Sequence, residues 1–396
     1  MLSDIPQRCD IFCNVIDNYG DIGVCWRLAR QLANEHDLAV RLWVDDLVSF
    51  AKLCPEADVG LDSQHRHGVT VSLWRKEFSD VQPAALVIEA FACKLPPSYI
   101  EAMAAQENKP VWVNLEYLSA EDWVESHHKL PSPHPKLPLT KYFFFPGFTP
   151  KTGGLLLERD LLERREVFQS DGKKQQTFWK SAGIEKPPEE TLIISLFSYE
   201  NAALEGLLDV WANSTQPVLC LVPEGRILPQ LGRYFGGASP DRLRADGLVR
   251  QRGNLKVRVL PFVEQERYDE LLWVCDVNFV RGEDSFVRAQ WAGKPFVWQI
   301  YPQQDAVHLK KLQAFLKLHN EPLGAIASNA VEGLWQAWNG GEVTVSGWET
   351  FVAVRGELDS HARSWAGQLA ENNLALNLLD FCRETGRMRA FKMEGQ

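Results

Sequence analysis

Cys9-Asp10-Ile11-Phe12-Cys13-Asn14-Val15-Ile16-Asp17-Asn18-Tyr19-Gly20-Asp21-Ile22-Gly23-Val24-Cys25-Trp26 is the stretch that decides the fold. Residues 9–16 are short and apolar, as a buried strand requires. Residues 17–23 are rich in turn formers. From Ile22 onward the apolar residues Ile22, Cys25, Trp26, Ala29, Leu32 and Ala33 recur at helical spacing. Strand, turn and helix in that order open a βα unit. The rhythm continues outward, with strands expected over 38–44, 69–73, 85–91 and 111–115. Helices are expected over 47–53 and from Pro97, where proline suits a first turn. Residues 118–152 carry Pro131, Pro133, Pro135, Pro138, Pro146 and Pro150 and are expected to be largely irregular. The rhythm then restarts: strands over 192–197, 218–222, 257–263, 277–280 and 296–300, helices over 202–211, 266–274 and 285–291. Helices are expected through most of the remainder, including 309–318 and an amphipathic stretch around 365–382.

Two successive βα series predict an α/β protein with two helix-covered parallel sheets. The expected architecture is a pair of Rossmann-like lobes facing a cleft. The first lobe is assigned to residues 1–155, with a C-terminal helix over 362–396 packing back on it. The second is assigned to 185–361. A length of 396 residues agrees, since domains run to roughly 100–200 residues.

A net charge of −10 and the lack of any basic run argue against binding to nucleic acid. Eight scattered cysteines without a CxxC pair predict a reducing compartment and no zinc site. The start, Met1-Leu2-Ser3-Asp4-Ile5-Pro6, lacks the parts of a signal peptide. No apolar run reaches the ~20 residues that span a bilayer. A cytoplasmic protein with no membrane contact is expected.

Ligands of open parallel sheets bind beyond the carboxyl ends of the strands, so the loops there carry the argument. The first is 17–23, with two carboxylates and two glycines. A carboxylate here serves as general base or grips a cationic acceptor; equally, Asp17 caps a turn and Asp21 the helix. The second is Asn278-Phe279-Val280-Arg281-Gly282-Glu283-Asp284-Ser285-Phe286. Its helix N-terminus suits a diphosphate, with a hydroxyl from Ser285 and a fork of donors from Arg281. The alternative is an ordinary N-cap at Asp284 or Ser285. The third comprises Phe262 and Gln265 after one strand and Phe197 and Tyr199 after another, placed either to receive a nucleobase or simply to pack in the core. There is no GxGxxG after a strand, no GxxxxGK[ST], no HExxH and no GxSxG. Asp45-Asp46 reads as a turn or cap, and fourteen tryptophans do not by themselves assign sugar binding.

Ile11-Phe12-Cys13, the run from Asp17 to Leu32, Leu42-Trp43-Val44-Asp45-Asp46 and the run from Arg281 to Trp298 resemble the EarP family of bacterial protein-arginine rhamnosyltransferases. The likeness runs nearly end to end. It implies a GT-B glycosyltransferase fold, with an acceptor lobe followed by a donor lobe. It also implies transfer of rhamnose from dTDP-β-L-rhamnose to one arginine of translation elongation factor P, with inversion; since the sequence shows no metal-ligand cluster and the chemistry needs none, no metal or other cofactor is expected. By matched positions, Asp21 is the general base, Asp17 its acidic neighbour and Glu283 a second catalytic carboxylate. The donor pocket takes Asn18, Tyr19, Gly20, Phe197, Tyr199, Phe262, Gln265, Arg281, Gly282, Asp284 and Ser285. Two other readings remain open: a sugar-nucleotide epimerase of GT-B type, and a non-catalytic nucleotide-sugar sensor that binds a translation factor.

Overall fold

A computed structural model describes residues 7–16, 19–78, 81–244, 249–302 and 307–394, the last eight by backbone alone. The chain divides into two compact units, Met1–Arg159 with Leu369–Gln396, and Asp160–Gln368.

The strands of the first unit are β1 (Arg8–Cys13), β2 (Ala39–Val44), β3 (Ser63–Arg66), β4 (Val69–Leu73), β5 (Leu86–Ala90), β6 (Val111–Leu115), β7 (Pro131–Pro133) and β8 (Thr140–Phe144). They form one sheet in the order β3-β4-β2-β1-β5-β6-β8-β7. The chain first builds outward from β1 through β2 to β4, then crosses to build the other side through β5, β6 and β8. The carboxyl end of β1 is therefore the point where the strand order reverses, the place where such sheets bind ligands. β5 and β6 are buried along their whole length, as parallel strands covered on both faces are. Phe12, Trp43, Val87, Tyr99 and Trp112 pack together in its core.

The strands of the second unit are β9 (Leu192–Leu196), β10 (Val218–Pro223), β11 (Val249–Arg252), β12 (Leu255–Leu260), β13 (Val277–Arg281) and β14 (Phe296–Gln299). Their order, β11-β12-β10-β9-β13-β14, repeats the device. β10 and β13 flank β9 on opposite sides, so the carboxyl ends of β9 and β13 border this unit's switch point. Asn278 pairs with Ser195 and Phe279 with Leu196 across that seam. Six tryptophans, 26, 179, 211, 291, 335 and 338, rank among the most completely buried side chains. Much of the tryptophan content is thus core.

The structure corrects two expectations. The sheets are not wholly parallel: β3, β7 and β11 are antiparallel edge strands. Residues 118–152 are largely irregular, as expected, with β7, β8 and the short helix Trp123–His127 set among their loops. Two of the prolines lie in β7, at the sheet's edge, where a missing N–H breaks no ladder on the outer side. Residues 261–263 lie beyond the end of β12 and not within it.

The helix Leu374–Glu394 belongs with the first unit. Leu155 donates to the Asn372 carbonyl (3.1 Å) and accepts from the Leu374 amide (2.9 Å). Gly154 makes this contact possible. Its φ is +79°, and a Cβ there would lie 2.1 Å from the Asn372 carbonyl oxygen.

Candidate active site

The loop after β1 is tied down before it reaches the helix Gly20–His36. Asp45, just past β2, accepts from the Val15 amide at 2.9 Å and from the Asn14 side chain. Its neighbour Asp46 caps the helix Leu47–Leu53, taking the amides of Val48 (2.9 Å) and Ser49 (3.0 Å). Although burial opposes its charge, the hydrogen bonds from Ser49 and Val48 hold the Asp46 carboxyl below its ordinary range.

Asp21 is the second residue of the helix Gly20–His36 and is 3% exposed. Its side chain is not at the N-cap, which is Tyr19, a residue that makes no side-chain cap. The carboxylate turns back instead: Oδ2 accepts the Ile16 amide at 2.9 Å, and Oδ1 accepts the Tyr117 hydroxyl at 3.3 Å. A carboxylate at the switch point, held from both sides and largely out of water, is an oriented proton acceptor. The carbonyl of half-buried Tyr19 accepts the Gly23 amide (2.9 Å). Gly20 begins the helix. Asp17 and Asn18 lie outside the described residues. Tyr117 escapes sequence reading; its only sign is an aromatic placed two residues past the end of β6.

In the second unit the residues after β9 and the end of β13 meet. The Arg281 guanidinium carbon lies 4.4 Å from the Phe197 ring centre and 4.3 Å from that of Tyr199. A planar cation beside two rings gains cation–π attraction from each. The Tyr199 amide donates to Gln299 Oε1 at 2.8 Å. Tyr268 packs edge-on to Phe197 (5.7 Å) and Tyr301 edge-on to Tyr199 (5.5 Å), two aromatics that periodicity alone does not single out. Burial pushes the Tyr268 phenol well above its ordinary value.

Past Arg281 the chain turns at Gly282, with φ of +61°. The helix Asp284–Trp291 follows, its N-cap Glu283 making no side-chain cap. Glu283 and Asp284 are half-buried. Neither Asp284 nor Ser285 occupies the N-cap. The Ser285 hydroxyl accepts the Arg281 amide at 3.0 Å and donates to the Arg281 carbonyl, closing the strand end onto the helix. The helix is anchored by a buried bidentate pair: Arg288 to Asp269, 2.8 and 2.7 Å. Asp269 lies on the helix Gln265–Val274, which buried Gln265 opens. Phe262 is half-buried in the preceding loop.

Among the described residues, Cys54, Glu56 and His67 bring possible metal-binding atoms within 4.8 Å of one another. Glu56 and His67 are exposed, and burial raises the Cys54 thiol to about 11. No helix of the described residues is long and apolar enough to cross a membrane.

Two Rossmann-like units, each with its switch point furnished with polar and aromatic side chains, are the parts from which glycosyltransferases of the GT-B class are built. The solved structure that describes EarP-mediated arginine glycosylation of translation elongation factor EF-P is 39% identical. It covers 95% of this chain and 99% of its own, with a TM-score of 0.68. The protein-arginine rhamnosyltransferase of Pseudomonas putida is 52% identical over 95% of this chain and 98% of its own length. The Pseudomonas aeruginosa protein of the same description is 48% identical over 94% and 98%. Residues 9–383 match the family model of the EF-P rhamnosyltransferase EarP. The chain belongs to that family.

Proposed function

We propose that this chain moves L-rhamnose from dTDP-β-L-rhamnose to an arginine side chain of translation elongation factor P, with inversion at the anomeric carbon. The observation that carries the reading is Asp21: a buried carboxylate at the strand-order reversal of the first unit, in a family of arginine rhamnosyltransferases. A guanidinium has a pKa above ~12 and delocalised lone pairs, so it is a poor nucleophile. A carboxylate that accepts an N–H as the bond forms removes that obstacle. One guanidino nitrogen then attacks C1 of the sugar. The C1–O bond to the diphosphate breaks, its electron pair leaves with dTDP, and the proton passes to Asp21.

Asp17 and Glu283 are the further carboxylates of this scheme, Asp17 helping to grip the acceptor. Arg281 and the N-terminus of the helix Asp284–Trp291 stabilise the charge growing on the departing diphosphate. Phe262 and Gln265 take the base; Phe197 and Tyr199 fix Arg281 and border the pocket. Asn18, Tyr19, Gly20, Gly282, Asp284 and Ser285 complete the donor site. The scheme calls for no cofactor beyond the donor. A translation-factor acceptor places the reaction in the cytoplasm.

Intact-mass spectrometry of elongation factor P incubated with the enzyme and donor tests the reading. Asp21→Asn keeps the shape but not the basicity and should lower the transfer rate ~10²–10⁴-fold, with donor affinity retained. Near-normal turnover would remove Asp21 as the base.

A further inference from the structure

Beside Asp21 the backbone adopts a rare conformation. β5 ends at Ala90, and the next two residues, Phe91 and Ala92, both take positive φ, 55° and 54°. For side chains with a Cβ such backbone is strained and persists only where its surroundings enforce it. Here they do. The Phe91 amide donates to the Leu115 carbonyl at 2.7 Å. The Ala92 amide donates to the side chain of buried Asn114 at 3.0 Å, whose own amide group donates to Glu116 Oε1 at 2.5 Å.

The result is one placed ring. Phe91 lies stacked on Tyr117, centres 4.5 Å apart and planes 17° from parallel. Phe91 is 8% exposed and Tyr117 38%, so Phe91 is the backing and Tyr117 the surface. The Tyr117 hydroxyl reaches Asp21 Oδ1. An exposed aromatic ring, braced from beneath and touching a buried carboxylate at its tip, suits one kind of ligand: a flat, weakly hydrated cation.

We infer that Tyr117, backed by Phe91, is the platform on which the acceptor's guanidinium lies while Asp21 takes its proton. This rests on the arginine-acceptor reading. Its hydroxyl holds Asp21 in the resting enzyme and yields Oδ1 to the incoming N–H. The strain at Phe91 and Ala92 is what sets the ring's height and tilt.

Steady-state transfer to elongation factor P, with acceptor and donor varied in turn, tests it. Tyr117→Leu removes the ring and should raise the acceptor KM about 5- to 30-fold, the value of a cation–π contact, while calorimetric donor affinity stays within about twofold. Tyr117→Phe keeps the ring and should restore the acceptor KM, with kcat lowered because the hydroxyl that orients Asp21 is gone. An unchanged acceptor KM in Tyr117→Leu, or an equal rise in Tyr117→Phe, would overturn the platform while leaving the transferase reading intact. No transfer by the unaltered enzyme would overturn both. Tyr117 is exposed, so truncation opens no core cavity; should the leucine variant fail to fold, Tyr117→Gln is held to the same criterion.

Discussion

The packing of Arg281 against Phe197 and Tyr199 makes a prediction that separates charge from geometry. The guanidinium carbon sits within 4.4 Å of both ring centres, at a site 5% exposed. Lysine at this position keeps the charge but replaces a flat fork with a compact point charge on a flexible stem. If the rings serve to aim the fork at the diphosphate, Arg281→Lys loses one charged hydrogen bond, about 1.5–3 kcal/mol. At 1.4 kcal/mol per decade that is roughly a 10- to 150-fold weaker Kd. Arg281→Met loses all charged bonds and should fall at or beyond the upper end. The assay is calorimetric titration with dTDP-β-L-rhamnose and, separately, with dTDP. Both ligands should lose the same factor, because the diphosphate is common to them and the sugar is not. Melting temperature serves as the folding control. A Kd for Arg281→Lys within about twofold of the unaltered protein would refute the role given to the rings. A loss confined to dTDP-β-L-rhamnose would move Arg281 from the diphosphate to the sugar.

Two further outcomes follow from groups buried in the same unit. Asp269→Asn strands the Arg288 cation, whose pairing distances are 2.8 and 2.7 Å. It should cost about 3–5 kcal/mol, seen as a drop of roughly 6–20 °C in thermal unfolding; a fall under about 3 °C would show the pair to be incidental. His319 is buried, and that burial, reinforced by the charge of His361, lowers its pKa from 6.5 to about 3. The unfolded chain thus binds a proton that the folded chain refuses, and stability falls as pH drops through 6.5 toward 3. Between pH 7 and pH 5 this one group should contribute about 2 kcal/mol of lost stability. Urea unfolding at the two values should show that increment in the unaltered protein and not in His319→Phe; equal pH dependence in both would contradict it.

The parallel strands were legible because burial leaves short segments dominated by apolar residues, nearly continuous in Val111–Leu115 and alternating in Val69–Leu73. Val69–Leu73 and Val111–Leu115 have the bounds that the sequence predicts. The edge strands were not, for the same reason reversed. Ser63–Arg66 and Val249–Arg252 are mostly polar because they lie at sheet edges, and β7 hides behind the two prolines it accommodates. Their register comes from the partner strand, which no local window contains. In the candidate site, the end of β13 was found as a polar motif at a strand end, but its working differs from the motif's plain meaning. The Ser285 hydroxyl closes on the Arg281 backbone, and the Arg281 fork lies against two rings before it meets any ligand.

Tyr117 shows why the remainder was out of reach. It lies 96 positions from Asp21 in sequence, and nothing about an aromatic after a strand marks it as special. What joins the two is strand order. Crossing from β4 to β5 places β5 against β1, and β6 then lies one strand further out. The residues just past β5 and β6 therefore arrive at the same sheet edge as the loop past β1. The positive φ of Phe91 and Ala92 then tunes a single ring against a single carboxylate. A reaction that must hold a flat cation still needs that kind of precision, and in an open α/β sheet only topology, not local sequence, can deliver it.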